Sequence, residues 1–267
     1  MNSSKLAQKS RIDAVKMVHA AKASHIGSAL SIIDILAVLY SDILNIDTSN
    51  FQQENRDRFI LSKGHGCVAV YSILANMNVI NKKMLKEYGQ NSSILMNHIS
   101  HKVNGVEFST GSLGHGLPFG VGKALAAKIS GKNWQTYVLL SDGEMQEGSN
   151  WEALMFSAHH KLDNLIAIID YNNLQSLTTV EETQNIEPLK DKLISFGWSV
   201  HEVDGHNHNE IKVAFDLSAK EKNKPSIIVC KTIKGKGVSY MENQVAWHYK
   251  CPNDEELQIA IKELENA

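Results

Sequence analysis

The chain has 267 residues, 43% of them hydrophobic, and a formal net charge of −2; it can bury a full core, and its lysines, scattered apart from the short KGK at 234–236, leave no electrostatic footprint for nucleic acid. No apolar run approaches the roughly 20 residues that a membrane span needs, and the amino-terminal MNSSKLAQKS has no apolar signal core, so the sequence points to a cytoplasmic protein without a membrane partner. Cys67, Cys230 and Cys251 have no paired spacing and read as reduced, structural thiols.

Apolar residues at three- and four-residue steps predict helices over 6–23, 31–44 and 68–77. A glycine-rich stretch, TGSLGHGLPFG, leads into a helix over 121–129 that stops at Gly131. WQTYVLL, ahead of Asp142, and LIAIIDY, ahead of Asn172, are short, apolar and rich in branched or aromatic residues, as strands buried on both faces are. Between them Ser149 and Glu152 form a capping-box pattern that starts a helix through Trp151, Leu154, Met155 and Ala158. Strands over 199–203 and 226–231 follow, then a short charged helix from Asn253. The expected fold is α/β, a doubly wound and mainly parallel sheet with helices on both faces, and without repeats, low-complexity tracts or linkers it is expected to be one domain over 1–267.

The unit from Ser141 to Leu174 carries the most chemistry. A crossover of about 30 residues returns its second strand parallel to the first, so both carboxyl ends open at one edge and Asp142 and Asn172 face one crevice, where ligands of open α/β sheets bind. A hard cation such as magnesium takes oxygen ligands and shares them with substrate phosphates. One carboxylate, one amide oxygen and a backbone carbonyl near Leu174 would leave positions for phosphate oxygens and water. Gly143 lets the chain approach a diphosphate closely, and the helix that follows points amides at the anion. Taken alone, DG and NN are also ordinary turn pairs.

Twelve histidines are many for this length. His19, His159, His201 and His208 fall in predicted elements or polar turns with nothing chemical beside them. Four others lie in loop-like stretches: His25 in SHIGSALSIIDIL, His65 in FILSKGHG, His98 in MNHISHKVNGVEFSTGSLGHG and His248 in MENQVAWHYKCPND.

The Asp142 to Asn172 unit resembles the thiamine diphosphate motif, an Asp-Gly step followed about thirty residues later by Asn between strands, and its wording is closer still to transketolase. Gln146, Glu147 and Gly148 continue that family's pattern, followed by a helix ending in His160 and a run with Leu162, Asn164 and Leu165. The four histidine stretches match the same family, and the resemblance runs from about His25 to Asp254. It implies thiamine diphosphate and a divalent metal (magnesium, or calcium or manganese), with Asp142, Asn172 and Leu174 as metal ligands. By the same resemblance His65, Gly111, Leu113, Gly143, Glu144, Asn172 and His248 contact the cofactor.

In that family the cofactor is the electron sink for breaking a carbon–carbon bond of a ketose, while imidazoles hold hydroxyls and shuttle protons. The resemblance therefore implies four catalytic histidines. His25 and His248 would serve proton transfers on substrate hydroxyls, His65 would lie beside the diphosphate and reactive centre, and His98 would hold the terminal hydroxyl of the two-carbon fragment. His101 has no clear counterpart. Ser141 stands where Gly is usual, Ile99 follows His98 where Pro is usual, His115 replaces a frequent Gln, and Tyr249 follows His248 where Gly is usual. The last three border the substrate, and they bear on its identity more than on the reaction class.

The resemblance covers only the first domain of a transketolase, whose catalytic glutamate comes from a second domain on the opposite protomer. The chain is accordingly expected to be the amino-terminal subunit of a split enzyme, joined to a separate carboxyl-terminal subunit in an α2β2 assembly, with Glu147 facing that interface. Its substrates would be sugars or sugar phosphates. A related thiamine enzyme acting on a 2-oxo acid, as synthases of deoxy sugars do, is an alternative opposed by the four-histidine set, since pyruvate lacks the hydroxyls those groups would hold. A non-catalytic cofactor-binding subunit is another, opposed by the intact Asp142, Asn172 and histidines.

Overall fold

In the computed structural model, which describes residues 1–266, β1 (Arg58–Leu61), β2 (Thr136–Ser141), β3 (Leu165–Tyr171), β4 (Ser199–Asp204) and β5 (Ser226–Lys231) form one sheet. All neighbours pair in parallel, in the order β1-β2-β3-β5-β4. Every carboxyl end therefore opens at one edge. The α-helices are α1 (Ser3–Ala21), α2 (Ile26–Leu30), α3 (Ile33–Val38), α4 (Cys67–Asn76), α5 (Gly116–Ile129), α6 (Gly148–His159), α7 (Val180–Gln184), α8 (Leu189–Ser195), α9 (His208–Ser218) and α10 (Asp254–Glu265).

The side-chain alternation of a strand divides the core in two. Phe59, Leu61, Tyr137, Leu139, Ile166, Ile168 and Ile228 pack with α1, α3, α4 and α9 on one face. Ile60, Val138, Leu140, Ala167, Ile169, Ile227 and Val229 pack with α5, α6 and α8 on the other. Both faces are covered, which is why the strands read as continuous apolar runs. Truncating a fully buried strand residue such as Ile168 to Ala costs about 2–5 kcal/mol. Register then sets the functional edge: β2 and β3 pair from Thr136 with Leu165 to Ser141 with Asp170, and Asp142 N donates to Asp170 O at 3.1 Å, so the two strands deliver Asp142 and Asn172 side by side.

Three local expectations change. The helix foreseen over 31–44 forms only over 33–43, as α3 and a widened π-helical turn at Leu39–Ile43, while a turn at Ser31 and Ile32 separates it from α2, which was not foreseen. The Ser31 hydroxyl, at the break, donates to Asp170 Oδ2 at 2.7 Å across 139 positions of sequence. The helix foreseen over 121–129 starts earlier, at Gly116, with Pro118 in its first turn, where the missing N–H removes no helical bond. The capping box at Ser149 and Glu152 is not formed: α6 starts at Gly148 with Glu147 at its N-cap and no side-chain cap bond, and Ser149 Oγ instead donates to Gly114 O at 2.6 Å. The box appears at α10, where Asn253 and Glu256 cap each other's backbone.

Candidate active site

At the sheet's carboxyl edge a cavity of about 220 Å³ is lined by Asp142, Gly143, Asn172 and Leu174, with His65, Lys63, Lys234 and His248 among the facing groups. Asp142 is the hinge of its polar wall. Its Oδ1 accepts from Gly143 N at 2.7 Å, and its Oδ2 accepts from Asn172 N at 2.9 Å and Asn173 N at 2.5 Å. Burial, reinforced by the Asp170 charge, pushes this carboxyl up to about 6 even though those amides oppose the shift. A buried carboxylate this hard to ionise gains from a cation beside it. Asn172 is fixed in turn, its Nδ2 donating to Asp170 Oδ2 at 3.1 Å and its Oδ1 accepting from Leu174 N at 3.1 Å.

The four histidines of the loop-like stretches meet beside this wall. The His25 ring lies 5.2 Å from His65, 5.8 Å from His98 and 5.1 Å from His248, and His65 lies 5.4 Å from His248. They come from the turn before α2, the turn after β1, the loop after the short helical segment at 82–87 and the turn at 245–248. His25 and His248 are tied through the main chain, His25 N donating to His248 O at 2.7 Å. His25 has φ 74°, a left-handed conformation that residues other than glycine adopt uncommonly. Desolvation, then the neighbouring His98, Lys234 and Lys63, lowers His25 to about 4. Desolvation, then Lys234, lowers His248 to about 3, and burial with Lys63 holds His65 well below the ordinary imidazole value. These three rings are neutral at pH 7, able both to give and to accept a hydrogen bond.

Two lysines that local sequence patterns do not mark complete the site. Lys63 Nζ lies 2.6 Å from Asp170 Oδ2 and 3.0 Å from Ser28 O, with both side chains buried. Lys234 Nζ donates to Gln175 O at 2.9 Å, Leu174 O at 3.3 Å and His248 Nδ1 at 3.0 Å. Burial, then the Lys63 charge, lowers Lys234 to about 8. Each lysine follows a short strand, but only the folded sheet brings those strand ends together.

The oxygen donors suit a hard divalent cation and an anionic group. Asp142, Asn172 Oδ1 and the Leu174 carbonyl supply three oxygens of the kind such a cation takes, and Lys63 and Lys234 add positive charge. The Gln175 Nε2 donor is buried without a partner among the described residues, and a Cβ at Gly143 would come within 3.0 Å of the Gln175 side chain, so the strand end carries an unused donor and no spare volume. Leu113 joins the lining at the far wall, its carbonyl accepting from His115 Nδ1 at 2.9 Å. Gly111 is exposed nearby, and a side chain there would meet none of the described residues within 4 Å. Glu144 lies off the cavity: fully buried, it accepts from the Ser62 hydroxyl and from Gly114 N at 2.9 Å, tying three loops together. Glu147 is exposed at the start of α6. His208 has chemistry beside it, contrary to expectation, for its Nε2 sits 3.0 Å from Asp34 Oδ1.

Among the described residues, no group of three or more His, Cys, Asp and Glu is placed to hold a metal ion. No helix of the described residues is long and apolar enough to cross a membrane.

Comparison with known proteins agrees with this arrangement. The family described as transketolase, thiamine diphosphate binding domain, matches residues 2–265. The chain is 42% identical over 257 residues to one of the subunits of the apulose-4-phosphate transketolase of Phocaeicola vulgatus, a match covering 96% of this chain and 92% of the relative. It is 40% identical over 242 residues to the 6-deoxy-6-sulfo-D-fructose transketolase subunit SqwG of Clostridium sp. strain MSTE9, covering 90% of this chain and 88% of the relative. The crystal structure of transketolase from Campylobacter jejuni superposes with a TM-score of 0.94 at 32% identity, covering 99% of this chain and 43% of that one. The chain thus spans about two fifths of the solved transketolases it matches. With a sheet whose carboxyl edge gathers these donors and histidines, and with identity of this extent, the chain belongs to the transketolase thiamine diphosphate-binding domain family.

Proposed function

We propose that the chain is the amino-terminal subunit of a two-subunit transketolase, a single pyrophosphate-binding domain that transfers a two-carbon ketol unit between sugars or sugar phosphates once a carboxyl-terminal subunit joins it. The observation that carries this reading is the meeting of His25, His65, His98 and His248, with the His25 ring centroid 5.1–5.8 Å from the other three, beside an oxygen donor set suited to a metal diphosphate. The names of the two relatives, each a transketolase subunit, support a separate partner.

Asp142, Asn172 and the Leu174 carbonyl would hold magnesium or a similar divalent ion, with Gly143, His65, Leu113, Gly111 and His248 around thiamine diphosphate. When bound, the cofactor supplies the electron sink for carbon–carbon cleavage. Lys234 and Gln175 would neutralise and cradle the diphosphate end. Neutral His25 and His65 can receive a proton from a sugar hydroxyl and return it. His248, whose Nδ1 accepts from Lys234, carries its proton on Nε2 and offers it as a donor. His98, exposed at the rim, would hold the terminal hydroxyl of the transferred fragment. Glu147, exposed at the start of α6, would face the partner in an α2β2 assembly, and the site of action would be the cytoplasm.

The test is reconstitution. The purified chain, mixed with a carboxyl-terminal transketolase chain from the same source, thiamine diphosphate and magnesium, is expected to move a ketol unit from a ketose to an aldose, followed by NMR of the products. Cofactor binding by the pair without ketol transfer from any ketose donor would overturn the reading.

A further inference from the structure

We infer that His206, held by Asp34, is a positioning residue of the site: it clamps the main chain at Ile233 and so fixes Lys234 against His248 Nδ1. The kinetic part of its test rests on the transketolase reading above, whereas the spectroscopic part rests on hydrogen-bond geometry alone.

Asp34, buried on α3, is the anchor. Its Oδ1 accepts from Arg11 Nη1 at 3.0 Å and His208 Nε2 at 3.0 Å, and its Oδ2 accepts from Arg11 Nη2 at 2.5 Å and His206 Nδ1 at 2.7 Å. Burial alone would raise its carboxyl, but the two histidine bonds and the Arg11 guanidinium hold it far below the usual carboxylate range. An ionised carboxylate can only accept, so both rings present N–H to it.

The other nitrogen of His206 is also committed. Nε2 accepts from Ile233 N at 2.8 Å, which leaves the ring proton on Nδ1 and settles the tautomer. Ile233 opens the segment 233–237 that leaves β5. Two further bonds pin this segment: Asn243 N donates to Lys234 O at 2.9 Å, and Gly235 N donates to Gly27 O at 3.0 Å. Gly235 has φ 83°, and a Cβ there would stand 2.4 Å from Met241 O, so the path of the chain at this point admits only glycine.

A lysine on four rotatable bonds reaches a fixed place only if its Cα is fixed. Lys234 is 1% exposed, and its three ammonium donors go to the Leu174 and Gln175 carbonyls and His248 Nδ1. The contact with His248 is what assigns that ring's proton to Nε2. The chain of dependence thus runs from Arg11 and Asp34, through the His206 ring, to the Ile233 amide, the Lys234 ammonium and the His248 imidazole. None of the first three residues lines the cavity at the sheet edge.

Two variants separate a clamp from a generally structural residue. His206→Asn keeps an N–H that can serve Asp34 but has no acceptor where Nε2 stood. His206→Gln restores an acceptor oxygen at about that distance from the backbone. In the reconstituted enzyme with thiamine diphosphate and magnesium, the Asn variant is expected to lower kcat on the order of tenfold, the scale seen when a group that orients an active-site side chain is removed, while KM moves within about twofold. The Gln variant is expected to recover most of the loss. In the isolated chain, nitrogen-15 NMR of assigned imidazoles should find His206 protonated on Nδ1 and His248 on Nε2, with His248 becoming a tautomer mixture in the Asn variant alone. Equal losses in both variants, or an unchanged His248 tautomer in the Asn variant, would overturn the clamp. If the Asn variant does not fold, the wild-type spectrum still decides, because His206 protonated on Nε2 or His248 on Nδ1 contradicts the geometry. Absence of ketol transfer by the wild type would instead count against the proposed function, leaving the NMR result to judge the clamp.

Discussion

Lys63 Nζ and Asp170 Oδ2 meet at 2.6 Å in the middle of the molecule, joining the turn after β1 to the end of β3. Asp170 also accepts from Ser31 at 2.7 Å, from Asn172 Nδ2 at 3.1 Å and from Thr232 Oγ1, so one carboxylate holds elements from four parts of the chain. Removing the ammonium strands a buried charge. Lys63→Met is expected to destabilise the chain by about 3–5 kcal/mol, read from the urea midpoint. A loss below about 1 kcal/mol, the scale of a surface pair, would show that the pair is not buried as described.

Asp142 separates ligand binding from folding. Its carboxylate organises three backbone amides, yet it is hard to ionise where it stands, so the folded chain gains little from its charge until a cation arrives. Asp142→Ala is expected to lose magnesium-dependent thiamine diphosphate binding by calorimetry, by about a hundredfold or more, while circular dichroism shows a cooperative melt. Retained metal-dependent affinity would contradict the ligand assignment.

The histidine cluster sets an acid limit on stability. His25 and His248 have folded values of about 4 and 3, below the 6.5 of an ordinary imidazole, so between those limits the unfolded chain binds more protons than the native one. The stability that these two rings contribute rises with pH across that window and is lost as pH falls below 6.5, while Asp142, raised to about 6, acts in the opposite sense between the ordinary carboxylate value and about 6. Asp34 acts in the same direction as the rings only under more acid conditions, because its carboxyl is depressed and its contribution fades below the ordinary carboxylate value. His25→Asn, which tolerates the left-handed backbone at φ 74°, should flatten the rise between about pH 5 and 7 in urea titrations. An unchanged slope would mean that the cluster is protonated in the native state.

Tyr249 sits where the cavity opens, 59% exposed, with its ring 4.8 Å from His248 and 6.0 Å from His25. Tyr249→Gly should widen this mouth, changing kcat/KM among ketoses of different length by about 10–100-fold while leaving cofactor affinity alone. Equal effects on every donor would place the ring outside the substrate's path.

The sheet was legible because β2, β3 and β5 carry runs of four or five apolar residues, YVLL, LIAII and IIVC, whereas β4, with Val200 and Val203 alone, gives a weaker signal. β1 was not, since four residues, Arg58–Leu61, with charged residues ahead of them give too short a period. The helix expected from Ser31 starts two residues late for a different reason: SIIDILAVL is helical by local preference, and Ser31 is drawn out of it by a partner that only the fold brings near. The same holds for the site. Asp142, Asn172 and the four histidines stand in recognisable local patterns, whereas Lys63, Asp170 and Lys234 acquire meaning when three strand ends meet. His208 looked idle because its partner, Asp34, lies 174 positions away, and His206, which shares that partner, carries no local signal.

Gly111 has open space where a side chain would be. A methyl group added there has no neighbour among the described residues to offend, so it should leave the melting temperature of the free chain unchanged. Any effect it has on binding must come from an arriving molecule. The position is thus a silent reporter, able to register cofactor or partner against a background of unaltered folding.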